Sequence, residues 1–450
     1  MPQNVVFVHG YSVRSLGAYG QFPSLLVSEG LEVADIQLSA FDSLDNTVTC
    51  DDLASALEDR ISTIEPTLDI SQTAFVTHST GAMITRRWML NRVARNRELP
   101  ADQQSKLPSH FVSLAGANHG STLAQVGQTA LNRLRQEFAG ANGIGQQVLT
   151  DLDYGSSFLR KLNREWLESL NSGELDGVFV FSLIGDDHQD FMNQIIWQSH
   201  EYGSDGTVRI AGSNLNYTWL EADLQGGTPK LKQAAPQPAI AHLIVPGYSH
   251  TGRKGIIDSV TSTQDVAFRA LMEAFNVQTA PQYATVLAAW ESRTQAWIDA
   301  NAPTDLQDEH GSQVASLIVF RLTDENGKPI PDHLIILGDQ NGDPRALTGA
   351  LEPHQPIQNE IDGSAVSFYV RSVKFSQAAP HTIHIEAHSG SPLVAFNAID
   401  YTLAANLNAF VRPNETTYVD VVLDRDASAA YRLISLSTNP DTTRTWPPLP

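Results

Sequence analysis

Cysteine is nearly absent from this 450-residue chain: Cys50 stands alone, so no intramolecular disulfide can form and a small disulfide-stapled architecture is excluded. Basic charge is also scarce. Lys and Arg number 29 against 50 Asp and Glu, a net charge of −21, which argues against holding nucleic acid backbones by bulk charge and against simple attraction to anionic membranes. No uninterrupted apolar run approaches the ~20 residues that span a bilayer. Met1 leads almost directly into the apolar NVVFVHG, without a basic n-region or a long h-region. The expectation is a protein without a Sec leader, cytoplasmic by synthesis and exported, if at all, by a leaderless route.

What is present is an ordinary globular composition, 42% hydrophobic and 18% charged, in a chain long enough for one large domain and a smaller one. Residues 73–92, TAFVTHSTGAMITRRWMLNR, organise the reading: an apolar strand stops at a serine among small residues and a helical stripe of Ala82, Met83, Trp88 and Met89 starts at once. THSTG at 77–81 is one residue away from G-x-S-x-G, a tight strand-to-helix turn that exposes a serine hydroxyl and aims the first helical N–H groups at a reacting carbonyl. Ser79 is the candidate nucleophile; serine before a helix also serves simply as an N-cap.

Elsewhere the chain alternates strands and helices. NVVFV at 4–8, VADIQLS after Gly30, HFVSLAG at 110–116, GVFVFSLIGDD at 177–187 and IAHLIVPG at 240–247 read as strands. Helices are expected over Tyr19–Ser28, Asp51–Glu65, about 262–276 and 282–300. This pattern predicts an α/β fold, a mainly parallel sheet with helices on both faces. The long insertion at about 117–176 carries two helical stripes, one with Leu131, Leu134 and Phe138, the other with Phe158, Leu162, Trp166 and Leu170. It reads either as a cap over the strand ends or as core-packing helices. Residues 203–240 read as loop with short edge strands. The polar stretch 301–312 marks a linker between a catalytic domain at 1–300 and a C-terminal domain at 313–450, whose segments VASLIVFRL, DHLIILGD, AVSFYVRSV, HTIHIEAH and TYVDVVLD predict an antiparallel β-sandwich ending in an extended WPPLP tail.

Four edge elements follow in order: FVHGY at 7–11, THSTG at 77–81, SDGTV at 204–208 and GYSHTG at 247–252, with LAGANHGS at 114–121 between the second and third. This set resembles the α/β-hydrolase fold over roughly residues 1–275, and within it the bacterial lipases and phospholipases. The resemblance implies a triad of Ser79, Asp205 and His250, with the backbone N–H groups of Tyr11 and Thr80 as oxyanion hole; no cofactor or metal is expected. The roles follow from chemistry: a serine hydroxyl needs an imidazole to accept its proton, and a carboxylate holds the imidazole's tautomer. The departure is Thr77, where glycine is usual in the family, because a β-branched residue crowds a tight elbow.

Rival assignments stay open at this stage. Asp186 or Asp187 could be the acid, and with His188 and Asp190 they form an oxygen-rich cluster that could hold calcium or be a solvated loop. His200 and His242 are alternative bases, the latter set in an apolar strand. His9 and His78 neighbour the site, and His119 reads as holding a turn. Leucine and aromatic content in the insertion suggests an apolar acyl wall, hence a lipid or other acyl ester substrate met at a membrane surface through the cap or C-terminal domain. A polyester or thioester hydrolase, and an inactive binding protein on the same scaffold, are the alternatives.

Overall fold

A strand apolar along its whole length must be covered on both sides, and five segments here meet that condition: β1 (Asn4–Val8), β3 (Thr73–His78), β4 (His110–Leu114), β5 (Phe179–Gly185) and β8 (Ala241–Val245) are buried almost throughout. In the computed structural model they join the short edge strand β2 (Ile36–Leu38) in one parallel sheet of order β2-β1-β3-β4-β5-β8. The structure describes residues 1–121, 143–188, 203–223, 230–302 and 314–425, except positions 12, 14, 15, 66, 352–355, 360, 379, 381, 391–393, 397, 398 and 403–406. The stripe at 131–138, Ser12 and Arg14 of the first loop, Asp190, His200, most of the expected linker and the WPPLP tail lie outside them.

Register decides which helix covers which face. Phe75 and Phe111 are paired neighbours on one face, and there Trp88 of α3 (Thr80–Asn96) stacks on Phe75 at 4.7 Å while Trp166 of α5 (Ser157–Asn171) meets Phe111 at 6.0 Å. The α2 helix (Cys50–Ile64), started by a capping box between Thr49 and Asp52, packs on α3 and on the short α4 (Gln146–Leu152). On the other face, Phe7 and Phe181 belong to a common row with Val76 and Val112. They meet Phe22 of α1 (Phe22–Ser28) and Trp290 of α8 (Ala280–Asn301) at 6.4 and 5.4 Å, and α7 (Val266–Phe275) brings Phe268 to 5.8 Å from Phe22. Of the two readings of the insertion, residues 157–171 therefore take the core-packing one. Arg86 of α3 fixes this layer, its guanidinium over Trp166 at 4.6 Å and bonded to Asn163 at 2.8 Å.

The C-terminal region forms two further sheets around a second core of Ile318, Phe320, Ile335, Leu337, Ile383, Ile385 and Val419. One sheet is β10 (His333–Gly338), β13 (Thr382–Ala387) and β14 (Ile399–Thr402), all antiparallel. The other has the order β11-β12-β9-β15-β6-β7, from Ile357–Gln358, Ala365–Arg371, Ala315–Asp324, Thr416–Leu423, Tyr217–Asp223 and Lys230–Gln233. Two expectations are corrected here. The sheet is mixed, because β15 runs parallel to both β9 and β6, and alternation in a sequence marks a strand without marking its partner's direction. And residues 217–223 are an inner strand, not a loop edge: Tyr217 and Trp219 pack in the first core while Leu220 and Ala222 enter the second. This sheet thus draws on both sides of the division expected at 301–312. A short helix, α9 (Ser372–Ala378), follows β12 where only strand was expected.

Candidate active site

The nucleophile elbow is built by close approach of two backbones. Ser79, between β3 and α3, has φ 55° and ψ −128°, a conformation that costs a non-glycine residue about 1–3 kcal/mol and persists only when its surroundings enforce it. They do so through two glycines. A Cβ on Gly81 would lie 2.3 Å from the Val8 carbonyl oxygen, and one on Gly10 would lie 2.5 Å from Ser79 Cβ. The end of β1 therefore presses directly on the turn. Thr77, the departure from the family pattern, is an ordinary strand residue here: it pairs with Val8 and Ser113, and its hydroxyl donates to the Val112 carbonyl at 3.2 Å.

His250 arrives on the loop after β8, and its Nε2 lies 3.0 Å from Ser79 Oγ. Its Nδ1 lies 2.8 Å from Asp205 Oδ2, and its backbone N–H donates to the Asp205 carbonyl at 2.8 Å. Asp205 is pinned from the other side, since Oδ1 accepts the N–H groups of Thr207 and Val208 at 3.0 and 2.8 Å. One carboxylate oxygen is thereby committed to the loop and the other to the imidazole. All three side chains are buried, Ser79 at 9% exposure, His250 at 4% and Asp205 at 0%.

The expected oxyanion donors stand at the same rim. Thr80 opens α3, so its N–H is one of the first-turn groups without a helical acceptor. Tyr11 follows Gly10 in the loop against Ser79, and its phenol donates to the Ile144 carbonyl beside α4, with burial raising the phenol's pKa. Two more imidazoles complete the wall, His9 and His250 each with ring centres 4.6 Å from His78. Burial, then the charge of His250, pushes His9 down to about 4; burial holds His78 well below the usual histidine range. Both are therefore neutral near pH 7. His78 Nε2 lies 3.1 Å from the His250 carbonyl, and the Gly10 N–H donates to His9 Nδ1 at 2.7 Å.

The rival residues serve elsewhere. Asp186 accepts the Gly247 N–H at 2.6 Å and the Trp297 indole at 2.8 Å, and Asp187 pairs with Lys254; both shape the loop that carries His250. Among the described residues no three His, Cys, Asp or Glu side chains converge as a metal site. His242 sits in β8 with Nδ1 3.1 Å from Ser182 Oγ and is pushed down to about 3 by burial. His119 reaches further than a turn: it bonds the Asn214 carbonyl at 2.8 Å and the Tyr418 hydroxyl of β15 at 3.0 Å.

Sequence reasoning missed the supports supplied by distant strands. Tyr369 of β12 donates to the Gly203 carbonyl at 3.2 Å, its ring carries Arg209 at 3.6 Å, and Thr416 donates to the Ala211 carbonyl at 2.9 Å. The C-terminal sheet thus holds both ends of the acid loop. Tyr19 was also missed: its hydroxyl accepts the His9 N–H at 3.1 Å and donates to the Ser39 carbonyl at 2.6 Å. No local motif marks these positions.

Residues 2–213 match the family model of class 2 lipases. Phospholipase PlaB from Legionella pneumophila, in complex with thio-NAD, superposes with a TM-score of 0.80 at 26% identity, covering 98% of this chain and 97% of that one. The chain has the α/β-hydrolase fold and is similar to lipases and phospholipases. A second PlaB structure matches over the same shares of the two chains with a TM-score of 0.80 at 24% identity. Comparison with curated proteins by sequence gives no match. The lipase model spans β1 through the acid loop, whereas His250 and the C-terminal sheets lie beyond it, in the part covered by the phospholipase structure. The class 2 lipase model and the PlaB likeness support an enzyme that hydrolyses lipid esters.

Proposed function

We propose that this hydrolase cleaves the acyl esters of phospholipids through an acyl-enzyme on Ser79. The observation that carries the reading is the unbroken relay Ser79–His250–Asp205, at 3.0 and 2.8 Å, beneath a strained elbow. His250 Nε2 takes the hydroxyl proton as Oγ attacks the ester carbonyl, and Asp205 Oδ2 accepts the Nδ1–H, holding the tautomer and stabilising the imidazolium. The oxyanion forms against the N–H groups of Thr80 and Tyr11, where losing one donor typically costs about 2.7–4 kcal/mol of barrier. His250 then returns the proton to the leaving lysophospholipid, and water, deprotonated by the same imidazole, releases the fatty acid. Neutral His9 and His78 keep fixed positive charge away from a base that must become cationic in the transition state.

The phospholipid assignment is supported by the PlaB likeness over nearly the whole chain. With a net charge of −21, bulk charge does not draw the protein to an anionic lipid surface, so contact there needs local features of the protein surface. The test sets phospholipid vesicles beside nitrophenyl esters of graded chain length and an acyl thioester. The reading expects fatty acid and lysophospholipid from vesicles, with a preference for long chains, and no release by Ser79→Ala. Cleavage of only short soluble esters or of the thioester would replace it with a non-lipid acyl substrate.

A further inference from the structure

Away from the triad, α5 and the mixed C-terminal sheet enclose a cleft of about 360 Å³. The helix supplies Ser157, Arg160, Lys161 and Arg164, spaced i, i+3, i+4 and i+7 and so on one stripe. The sheet supplies a row across three neighbouring strands, Arg321 of β9, Asp420 of β15 and Glu221 of β6, with Trp219 beside it. Four cations therefore face two carboxylates in a protein that is strongly acidic elsewhere.

The carboxylates are already engaged. Asp420 accepts Arg160 Nη2 through one oxygen and the Trp219 indole N–H, at 2.8 Å, through the other. Glu221 faces Arg164 at 3.5 Å and Lys232 at 3.6 Å. The guanidinium donors are not all engaged. Arg160 is 6% exposed, yet its Nε and Nη1 meet no protein acceptor, and neither does Arg321 Nε, whose nearest carboxylate, on Asp362, stands 3.6 Å away. Trp219 and Tyr418 cushion the Arg160 guanidinium at 5.2 and 5.8 Å but offer it no oxygen. The two arginines also repel each other: burial lowers the pKa of Arg160 most, Asp420 offsets part of this, and Arg321 lowers it again. Buried donors almost always find an acceptor, and two adjacent guanidinium groups with unsatisfied buried N–H donors suit an oxyanion held by several charge-assisted bonds.

We propose that this cleft binds a phosphate group, seated on Arg160 and Arg321. Arg164 and Lys161 contribute long-range charge: Arg164 is held by Glu168 at 3.0 Å, and the exposed Lys161 has Glu165 4.0 Å away. The phosphate belongs either to a soluble phosphate compound or to a phospholipid headgroup, and the same two arginines would hold both.

The test is calorimetric titration of the full-length protein with inorganic phosphate and pyrophosphate at constant ionic strength, chloride serving as the control anion. Saturable binding is expected, weakened at least tenfold in Arg321→Gln, which changes a partly exposed side chain, and likewise in Arg160→Lys, which keeps the charge but not the planar fork. A parallel arm uses Ser79→Ala, which leaves vesicles intact, with vesicles of phosphatidic acid in phosphatidylcholine. Competition between phosphate and vesicles assigns the site to a headgroup, and independence assigns it to a soluble phosphate. Absence of saturable binding by the wild type, or binding unchanged in both arginine variants, overturns the proposal. Neither result bears on the triad.

Discussion

Gly81→Ala tests the elbow more sharply than removal of any reacting group. The added methyl would sit 2.3 Å from the Val8 carbonyl oxygen and 2.6 Å from that of His9, both backbone atoms that cannot rotate aside. Restoring ordinary contact requires α3 and the end of β1 to part by about 1 Å, and overpacking of this kind costs about 1–3 kcal/mol of stability. The catalytic consequence is larger. Tyr11 lies three residues beyond Val8 and Thr80 one residue before Gly81, so the two proposed oxyanion donors sit on opposite sides of the contact being pried open. A misplacement of about 1 Å in such a constellation can cost about a hundredfold in rate. The expected variant is folded, with a melting temperature lowered by a few degrees, and its kcat on a nitrophenyl ester falls about a hundredfold with KM little changed. Circular dichroism and steady-state kinetics on the same sample separate the two effects. A Gly81→Ala enzyme within threefold of wild type would refute the claim that this backbone contact sets the oxyanion geometry.

Thr77→Gly, which restores the usual family residue, is expected to give no gain in rate and to lower stability by roughly 1 kcal/mol, since glycine in a strand interior loses packing and adds chain entropy; faster turnover would show that threonine does strain the elbow. Tyr369→Phe removes one buried hydrogen bond to the acid loop while keeping the ring under Arg209. It is expected to cost about 1 kcal/mol, and kcat should fall by up to about fivefold without a change in KM; unchanged kcat would mean that the C-terminal sheet does not position Asp205. Acid should destabilise the fold. His9 and His110 are pushed down to about 4, and His119 and His242 to about 3, so between these values and the unfolded value near 6.5 the unfolded chain binds more protons. Each histidine then makes stability rise with pH by up to about 1.4 kcal/mol per unit in that window. Glu415, pushed up to about 7 by burial, acts in the opposite sense between its ordinary value and 7. Asp151 and Asp258, also raised by burial, act with Glu415, while His78 and His333, lowered by burial, act with the other imidazoles. The histidines outnumber the raised carboxyls, so denaturant midpoints should fall as pH drops from 6.5 to 4, and a flat profile would contradict the neutral, buried state of these rings.

Local pattern made the catalytic half of the molecule legible. Strands buried on both faces leave continuous apolar runs, and THSTG, SDGTV and GYSHTG each carry their geometry within a few residues. Ser79, Asp205 and His250 could therefore be proposed from the chain, and the structure sets them within hydrogen-bonding distance of one another. What stayed hidden depends on partners remote in sequence. Nothing in NYTWLEAD says that it inserts beside Thr416–Leu423, some two hundred residues later, because alternation marks a strand and not its neighbour. The parallel direction of β15 was hidden for the same reason. Asp186 read as a rival acid because a carboxylate after a strand looks alike in sequence whether it faces an imidazole or, as here, the Trp297 indole.

The most direct measurement is intact-mass analysis after treatment with a fluorophosphonate, followed by peptide mapping. One adduct per chain is expected, located on Ser79, with labelling abolished in Ser79→Ala and slowed by orders of magnitude in His250→Ala. An unlabelled wild type, or an adduct mapped to any other residue, would contradict it.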